Sequence, residues 1–319
     1  MRIFTQPGDR PVLLALRALK LGDLLVAVPA IKGLRRAFPA HELVLAVPGW
    51  LEPVVELVEG VDALLPTPGL DALLPVAPGV VDVAVNLHGN GRESRAIIDA
   101  LRARRKIVHA SATDPHGVPW VDGMLERRRW ARLVSESGAP ADEDDVGIAV
   151  PRQAPPVERA VVVHVGAFYG ARAWPVERFA EVAAGLRRDG ARVVVTGGEA
   201  DRDRAEAVAA LARIPEADVL AGRTTLDGLA ALIAAARLVV SADTGAAHLA
   251  SAYQVPSVIV FGPAPPEEWG PPSGPHVVLT DASVRRGDVF AAEPDPALLA
   301  VTAADVLRAA RRLLAGTGA

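Results

Sequence analysis

The sequence predicts an α/β protein built of two doubly wound halves. Short apolar runs of strand length alternate with amphipathic helical segments from residue 11 onward. The alternation stops in a Pro-rich, acidic stretch near residue 150 and then restarts. A length of 319 residues also suits two domains better than one, because domains run to roughly 100–200 residues.

In the first half, Pro11–Leu16 reads as a strand and Gly22-Asp23 as a tight turn. Asp23–Ala37 follows as a helix, with Leu24, Val28, Ile31 and Leu34 at helical spacing. Leu43–Val47, Val81–Leu87 and Arg105–His109 continue as strands, and Leu51–Val58 and Ser94–Arg102 as helices. At 140–156 the acidic run Ala141–Asp145 and then Pro151, Pro155 and Pro156 mark a surface linker, giving domains of 1–152 and 153–319. The second half offers strands Ala160–Val165, Arg192–Thr196, Leu238–Ser241 and Ser257–Phe261. Its helices lie near Val176–Arg188, Asp201–Arg213, Leu226–Ala236 and Ala246–Tyr253. A last helix, Ala303–Leu314, either completes this half or crosses back to the first. Such alternation builds parallel sheets that bind ligands beyond the carboxyl ends of their strands, so two facing halves are expected to share a cleft.

Composition removes several classes of function. Half the residues are hydrophobic and none is Cys, which excludes disorder, disulfides, Cys-ligated zinc, iron–sulfur clusters and thiol nucleophiles. A net charge of −4 leaves no basic footprint for nucleic acid. No apolar run approaches the ~20 residues of a membrane span, and the start lacks the apolar core of a signal peptide, so the expected location is cytoplasmic. No polybasic tail or basic amphipathic helix supports membrane attachment, although peripheral contact stays open. Only three of the 34 Lys and Arg residues are Lys, a bias of GC-rich coding.

Four motifs fall at predicted strand carboxyl ends. Leu19–Asp23 places Gly22 and Asp23 where the first strand meets the first helix; Asp23 is either a helix cap or a carboxylate able to take a proton from a hydroxyl. Ser241–His248 offers a helix N-terminus suited to a diphosphate, and capping would account for Asp243 or Thr244 but not for His248. His164–Pro175 holds Gly166, Ala167 and Phe168 ahead of Arg172, whose guanidinium suits phosphate; a plain surface loop is the alternative. Thr196–Glu199 presents a carboxylate suited to a ribose diol, or merely an exposed Gly-Gly turn. His88–Arg92 is an acceptor-side candidate or an ordinary polar turn, and Arg127–Arg129 reads best as a solvated helix face.

These motifs together resemble glycosyltransferase family 9, the ADP-heptose heptosyltransferases, over nearly the whole chain. The resemblance rests on Leu21–Pro39, His164–Ala183, Thr196–Glu206 and Ser241–Pro263, continuing to Trp269-Gly270-Pro271. It implies a GT-B fold of two Rossmann-like domains, the first for acceptor and the second for donor, and transfer with inversion that needs no metal and no cofactor. It casts Asp23 as general base and Arg172 as the cation on the leaving diphosphate. Gly166, Ala167, Phe168, Glu199, Asp243, Thr244, Gly245 and His248 fall to the donor, and Gly22, His88 and Asn90 to the acceptor side.

Two departures stand out: Arg172 where the family has Lys, and Phe168-Tyr169 where Ser or Thr is common. The loss of a phosphate-binding hydroxyl at Phe168 leaves backbone N–H groups to compensate, or an aromatic wall to select another sugar or base. The expected partners are a nucleotide sugar, ADP-linked by the resemblance, and a glycan, glycolipid or natural-product acceptor. Alternatives are a nucleotide-sugar epimerase of the same geometry and a non-catalytic nucleotide-sugar-binding protein.

Overall fold

The computed structural model describes residues 1–316 and divides the chain into two compact units, Met1–Ala149 and Val150–Ala319. The first unit carries strands β1 (Arg2–Ile3), β2 (Val12–Leu16), β3 (Glu42–Val47), β4 (Ala63–Pro66), β5 (Val81–Asn86) and β6 (Arg105–Ile107). Its helices are α1 (Leu21–Ala37), α2 (Glu52–Val55), α3 (Arg92–Ala100) and α4 (Glu126–Glu136). All its strand pairs are parallel, in the order β1-β4-β3-β2-β5-β6.

The second unit has β7 (Val161–His164), β8 (Val193–Thr196), β9 (Leu238–Ala242), β10 (Ser257–Val260) and β11 (His276–Leu279). They are parallel in the order β11-β10-β9-β7-β8. Helices α5 (Val176–Arg188), α6 (Arg202–Ala212), α7 (Leu226–Ala234), α8 (Gly245–Ala252), α9 (Pro266–Trp269), α10 (Pro296–Leu299) and α11 (Ala303–Gly316) complete it.

The central strands are mostly apolar because both faces of a parallel sheet are covered, with polar residues such as Glu42, His164 and Thr196 at strand ends. Every residue of β2, β3, β7, β8, β9 and β10 is buried. Helix α11 lies on its own unit, with Val306, Ala309 and Ala310 in the core beneath β9 and β10 and Leu307 seated over Gly185 of α5. A Cβ at residue 185 would stand 2.6 Å from Leu307 Cδ2, so glycine sets the approach of those two helices.

Several expectations need correcting. Helix α1 begins at Leu21, so Gly22 lies in its first turn and makes no tight turn before it. Burial of Leu21 and the Asp23 carboxylate, which accepts the Lys20 N–H at 3.3 Å from the N3 position, draw the start forward. The Arg127–Arg129 run is not a solvated face. Arg127 and Arg129 are buried, the first paired to Asp144 at 3.1 Å and the second to Glu126 at 2.7 Å, while Arg128 alone is exposed and grips Glu143 with two 2.7 Å bonds. The acidic run is therefore a clasp on the first unit rather than a free linker. Its Asp145 also receives Lys32 at 2.5 Å and Arg36 at 3.1 Å from α1.

Burial holds four histidines, His88, His109, His164 and His276, each down to about 4. They stay neutral in the folded state down to that pH, while the unfolded chain takes up protons below about 6.5. Stability should therefore fall as pH drops from about 6.5 toward 4. A urea midpoint lower at pH 5 than at pH 7 is the expected result; equal midpoints would contradict the histidine burial.

Candidate functional site

In the first unit, β2 ends at Leu16 and hands over to Arg17, a guanidinium only 1% exposed. Its Nε donates to the Asp23 carbonyl at 2.8 Å, one Nη donates to the Leu87 carbonyl, and the other lies 3.6 Å from the Asp23 carboxylate. Trp130 of α4 lies beneath it, 4.6 Å from guanidinium carbon to ring centre. Burial lowers the Arg17 pKa, and the carboxylates of Asp23 and Glu126 oppose that. Asp23 is thus capping residue and Arg17 partner at once, with its side chain partly open to solvent.

His88 joins this group at the end of β5, where burial and then the Arg17 charge press its pKa down against the pull of Asp23. Its backbone N–H donates to the Asn86 side chain at 3.1 Å, and its buried Nδ1 has no hydrogen-bond partner among the described residues. Asn90 instead braces its own loop, donating to the Ala110 carbonyl at 3.0 Å and receiving Arg95.

In the second unit, three loops leave the carboxyl ends of adjacent strands in the order β9, β7, β8. Beyond β9, Thr244 is the cap residue of α8, extended at φ −147°, ψ 174°. Neither it nor Asp243 caps the helix through its side chain, since the Thr244 hydroxyl pairs with Ser241 at 2.9 Å. The first N–H groups of α8 therefore stay open to a ligand at the positive end of the helix dipole.

Arg172 reaches this turn from the β7 loop. Its Nη1 lies 3.0 Å from Asp243 Oδ2 and donates to the Asp243 carbonyl at 3.3 Å, and its buried Nε has no hydrogen-bond partner among the described residues. On the other carboxylate oxygen, His248 Nε2 stands at 3.7 Å. Asp243 is buried between a cation and an imidazole, so its carboxylate orients both.

The β7 loop is fixed from both sides. Asp201 accepts the Gly198 N–H at 2.8 Å and the Ala167 N–H at 3.4 Å, joining it to the β8 loop. Gly166 has no room for a side chain, because a Cβ would meet His164 Nε2 at 2.6 Å and Asp201 Oδ2 at 2.9 Å. On the far side, a Cβ at Gly170 would overlap the Ala292 carbonyl, and Ala171 exchanges backbone bonds with Ala291 and Asp295 at 2.9 and 3.1 Å. Asp295, buried, collects the N–H groups of Arg286, Gly287 and Ala297.

Above this frame, Phe168, Tyr169 and Phe290 meet edge to face at 4.8 and 5.1 Å, with Phe168 75% and Phe290 70% exposed. Glu199 stands on the β8 loop, two strands from β9, exposed and bonded to Arg202 at 2.9 Å.

A family model described as glycosyltransferase family 9 (heptosyltransferase) matches residues 129–284. Lipopolysaccharide heptosyltransferase 2 of Salmonella typhimurium is 25% identical over 93% of this chain and 97% of its own length. The chain belongs to glycosyltransferase family 9. It is an enzyme of the heptosyltransferase family, and the solved structures agree on a GT-B fold. The Escherichia coli ADP-heptose lipopolysaccharide heptosyltransferase II superimposes with a TM-score of 0.76 at 20% identity, covering 97% of this chain and 100% of that one. The E. coli heptosyltransferase WaaC with ADP gives 0.69 at 19% identity, covering 94% and 99%.

Within this family 9 glycosyltransferase, the structure gathers Arg172, Asp243, Thr244, Gly245 and His248 at one helix start, and Asp23 with His88 at one sheet edge. It adds residues that the motifs did not single out: Arg17, Asp201, Asp295 and Phe290. Arg17 had a signal, a lone cation closing the apolar run Val12–Leu16. Asp201 and Asp295 act through backbone groups far along the chain, which no local pattern marks. Among the described residues no helix is long and apolar enough to cross a membrane, and no cluster of three or more His, Asp or Glu side chains could hold a metal ion.

Proposed function

We propose that this glycosyltransferase moves a heptose or a closely related sugar from ADP-heptose to an acceptor hydroxyl with inversion at the anomeric carbon. The acceptor oxygen attacks the anomeric carbon as the bond to the diphosphate oxygen breaks; ADP leaves with the electron pair, and Asp23 receives the hydroxyl proton. Arg172, the open N–H groups of Gly245 and Ala246 and the His248 ring meet the charge that grows on the leaving diphosphate. Asp243 holds Arg172 and His248 in place, Gly166 and Ala167 supply backbone beside them, and Glu199 serves the ribose.

The observation that carries this reading is the uncapped start of α8 with a guanidinium and an imidazole converging on it. The names of the relatives, lipopolysaccharide heptosyltransferases and a structure with ADP, support the donor. The acceptor is assigned only as a glycan, glycolipid or natural product that presents a nucleophilic hydroxyl.

Calorimetry with ADP tests the site. Hydrogen bonds to charged groups contribute about 1.5–3 kcal/mol, so Arg172→Ala should weaken ADP by roughly 10- to 150-fold. An unchanged affinity would remove Arg172 from the diphosphate site.

A further inference from the structure

Parallel pairing fixes which loops stand beside Asp23. β2 lies between β3 and β5, with Leu16 opposite Ala46 on one side and Asn86 on the other. The Arg17 N–H bonds Ala46 at 2.9 Å, and the Leu87 N–H bonds Leu16 at 3.1 Å. The three loops therefore leave one sheet edge in the order β3, β2, β5, at strand spacings of about 4.8 Å. The β3 loop carries Trp50, the β2 loop leads into the first turn of α1 with Asp23, and the β5 loop carries His88.

Trp50 is 55% exposed, yet it sits on a built turn. Leu51, Val54 and Val55 just after it are fully buried, Pro48 before it is buried, and the Leu51 N–H closes the turn on the Pro48 carbonyl at 3.0 Å. Scattered exposed apolar side chains are ordinary on any protein. Trp50 differs in position, because ligands of open parallel sheets bind at this edge and its neighbouring loop holds the carboxylate assigned as base. On the other flank, the neutral His88 ring makes no side-chain hydrogen bond among the described residues. A rigid aromatic face with a few convergent polar groups is the composition of a small-molecule site.

We infer that Trp50 and His88 form the acceptor subsite, Trp50 stacking on the apolar face of an acceptor pyranose and His88 meeting one of its hydroxyls. This rests on the reading that the first unit takes the acceptor with His88 on that side; it adds Trp50 as a specificity-determining residue and gives His88 a hydroxyl to meet. The acceptor would then be a saccharide along the Trp50 side of Asp23.

The full-length protein labelled with 5-fluorotryptophan tests this. It has five Trp, and the Trp50 fluorine resonance is the one missing from Trp50→Phe. With ADP present, titration of methyl α-D-mannopyranoside should shift that resonance saturably and leave those of Trp174 and Trp269 in place, and His88→Ala should raise the midpoint several-fold. A Trp50 resonance unmoved to the solubility limit, or one moved only by phosphatidylglycerol vesicles, overturns the subsite. The same titration in Asp23→Asn separates the two ideas. Saccharide binding at Trp50 in a variant that still turns over removes the assigned base and leaves the subsite standing; a silent Trp50 in an inactive variant removes the subsite alone.

Discussion

Asp23→Asn should turn over donor about 10²- to 10⁴-fold more slowly than the parent enzyme, the usual cost of losing a general base. Its ADP affinity should be unchanged. Asparagine is the informative replacement because Asp23 has two duties that it separates. Its Oδ1 can still accept the Lys20 N–H, so the start of α1 survives. What it loses is the negative charge beside Arg17 and the ability to take a proton. Single-turnover rates with ADP-heptose, read beside calorimetry with ADP, divide the effect into chemistry and binding. Parent-like turnover would exclude Asp23 as base, and a parallel loss of ADP affinity would point to misfolding.

The largest effect on stability is expected at Arg17→Met. The guanidinium bonds two carbonyls, Asp23 and Leu87, that belong to loops after neighbouring strands, and it rests on Trp130 while facing the Asp23 carboxylate. Methionine fills the space but leaves both carbonyls without that donor. Removing one member of a buried ion pair costs about 3–5 kcal/mol. Because Asp23 retains some solvent, the lower end, about 3 kcal/mol, is the appropriate expectation. Urea unfolding followed by Trp fluorescence measures it, with the transition of the first unit moving and that of the second unchanged. A shift below about 1 kcal/mol would mean that water replaces Arg17 without penalty, as it does for exposed ion pairs.

Most of the doubly wound pattern was legible in the sequence because buried parallel strands write themselves as continuous apolar runs. Val161–His164 and Leu238–Ala242 were found within two residues at each end, and Val176–Arg188 to the residue. The misses were short or at an edge. β1 has two residues, β4 ends in Pro66, and β11 is only half-buried, so none shows a run long enough to mark. Helix α4 was read only as a solvated face, for a different reason. Its sequence, Glu126–Glu136, is dominated by charge, and two of its arginines are inside only because acidic side chains, Asp144 and Glu126, meet them there. In the site, single residues at strand ends were readable, whereas the contacts that orient them were not. The pairing of Arg172 with Asp243 joins positions 71 residues apart, and nothing local to either states it.

The seam between Gly170 and Ala292 also constrains how this enzyme can change. The β7 loop and the loop over residues 285–295 are locked by a missing side chain, backbone bonds and the Asp295 carboxylate, so neither can be redesigned alone. Grafting a Ser- or Thr-bearing loop from a relative in place of Phe168-Tyr169 would strand Phe290 and misfit the Ala291–Ala292 backbone. The two segments, more than a hundred residues apart in the chain, therefore form one structural unit, and replacements of the β7 loop should fold correctly only when both are exchanged together.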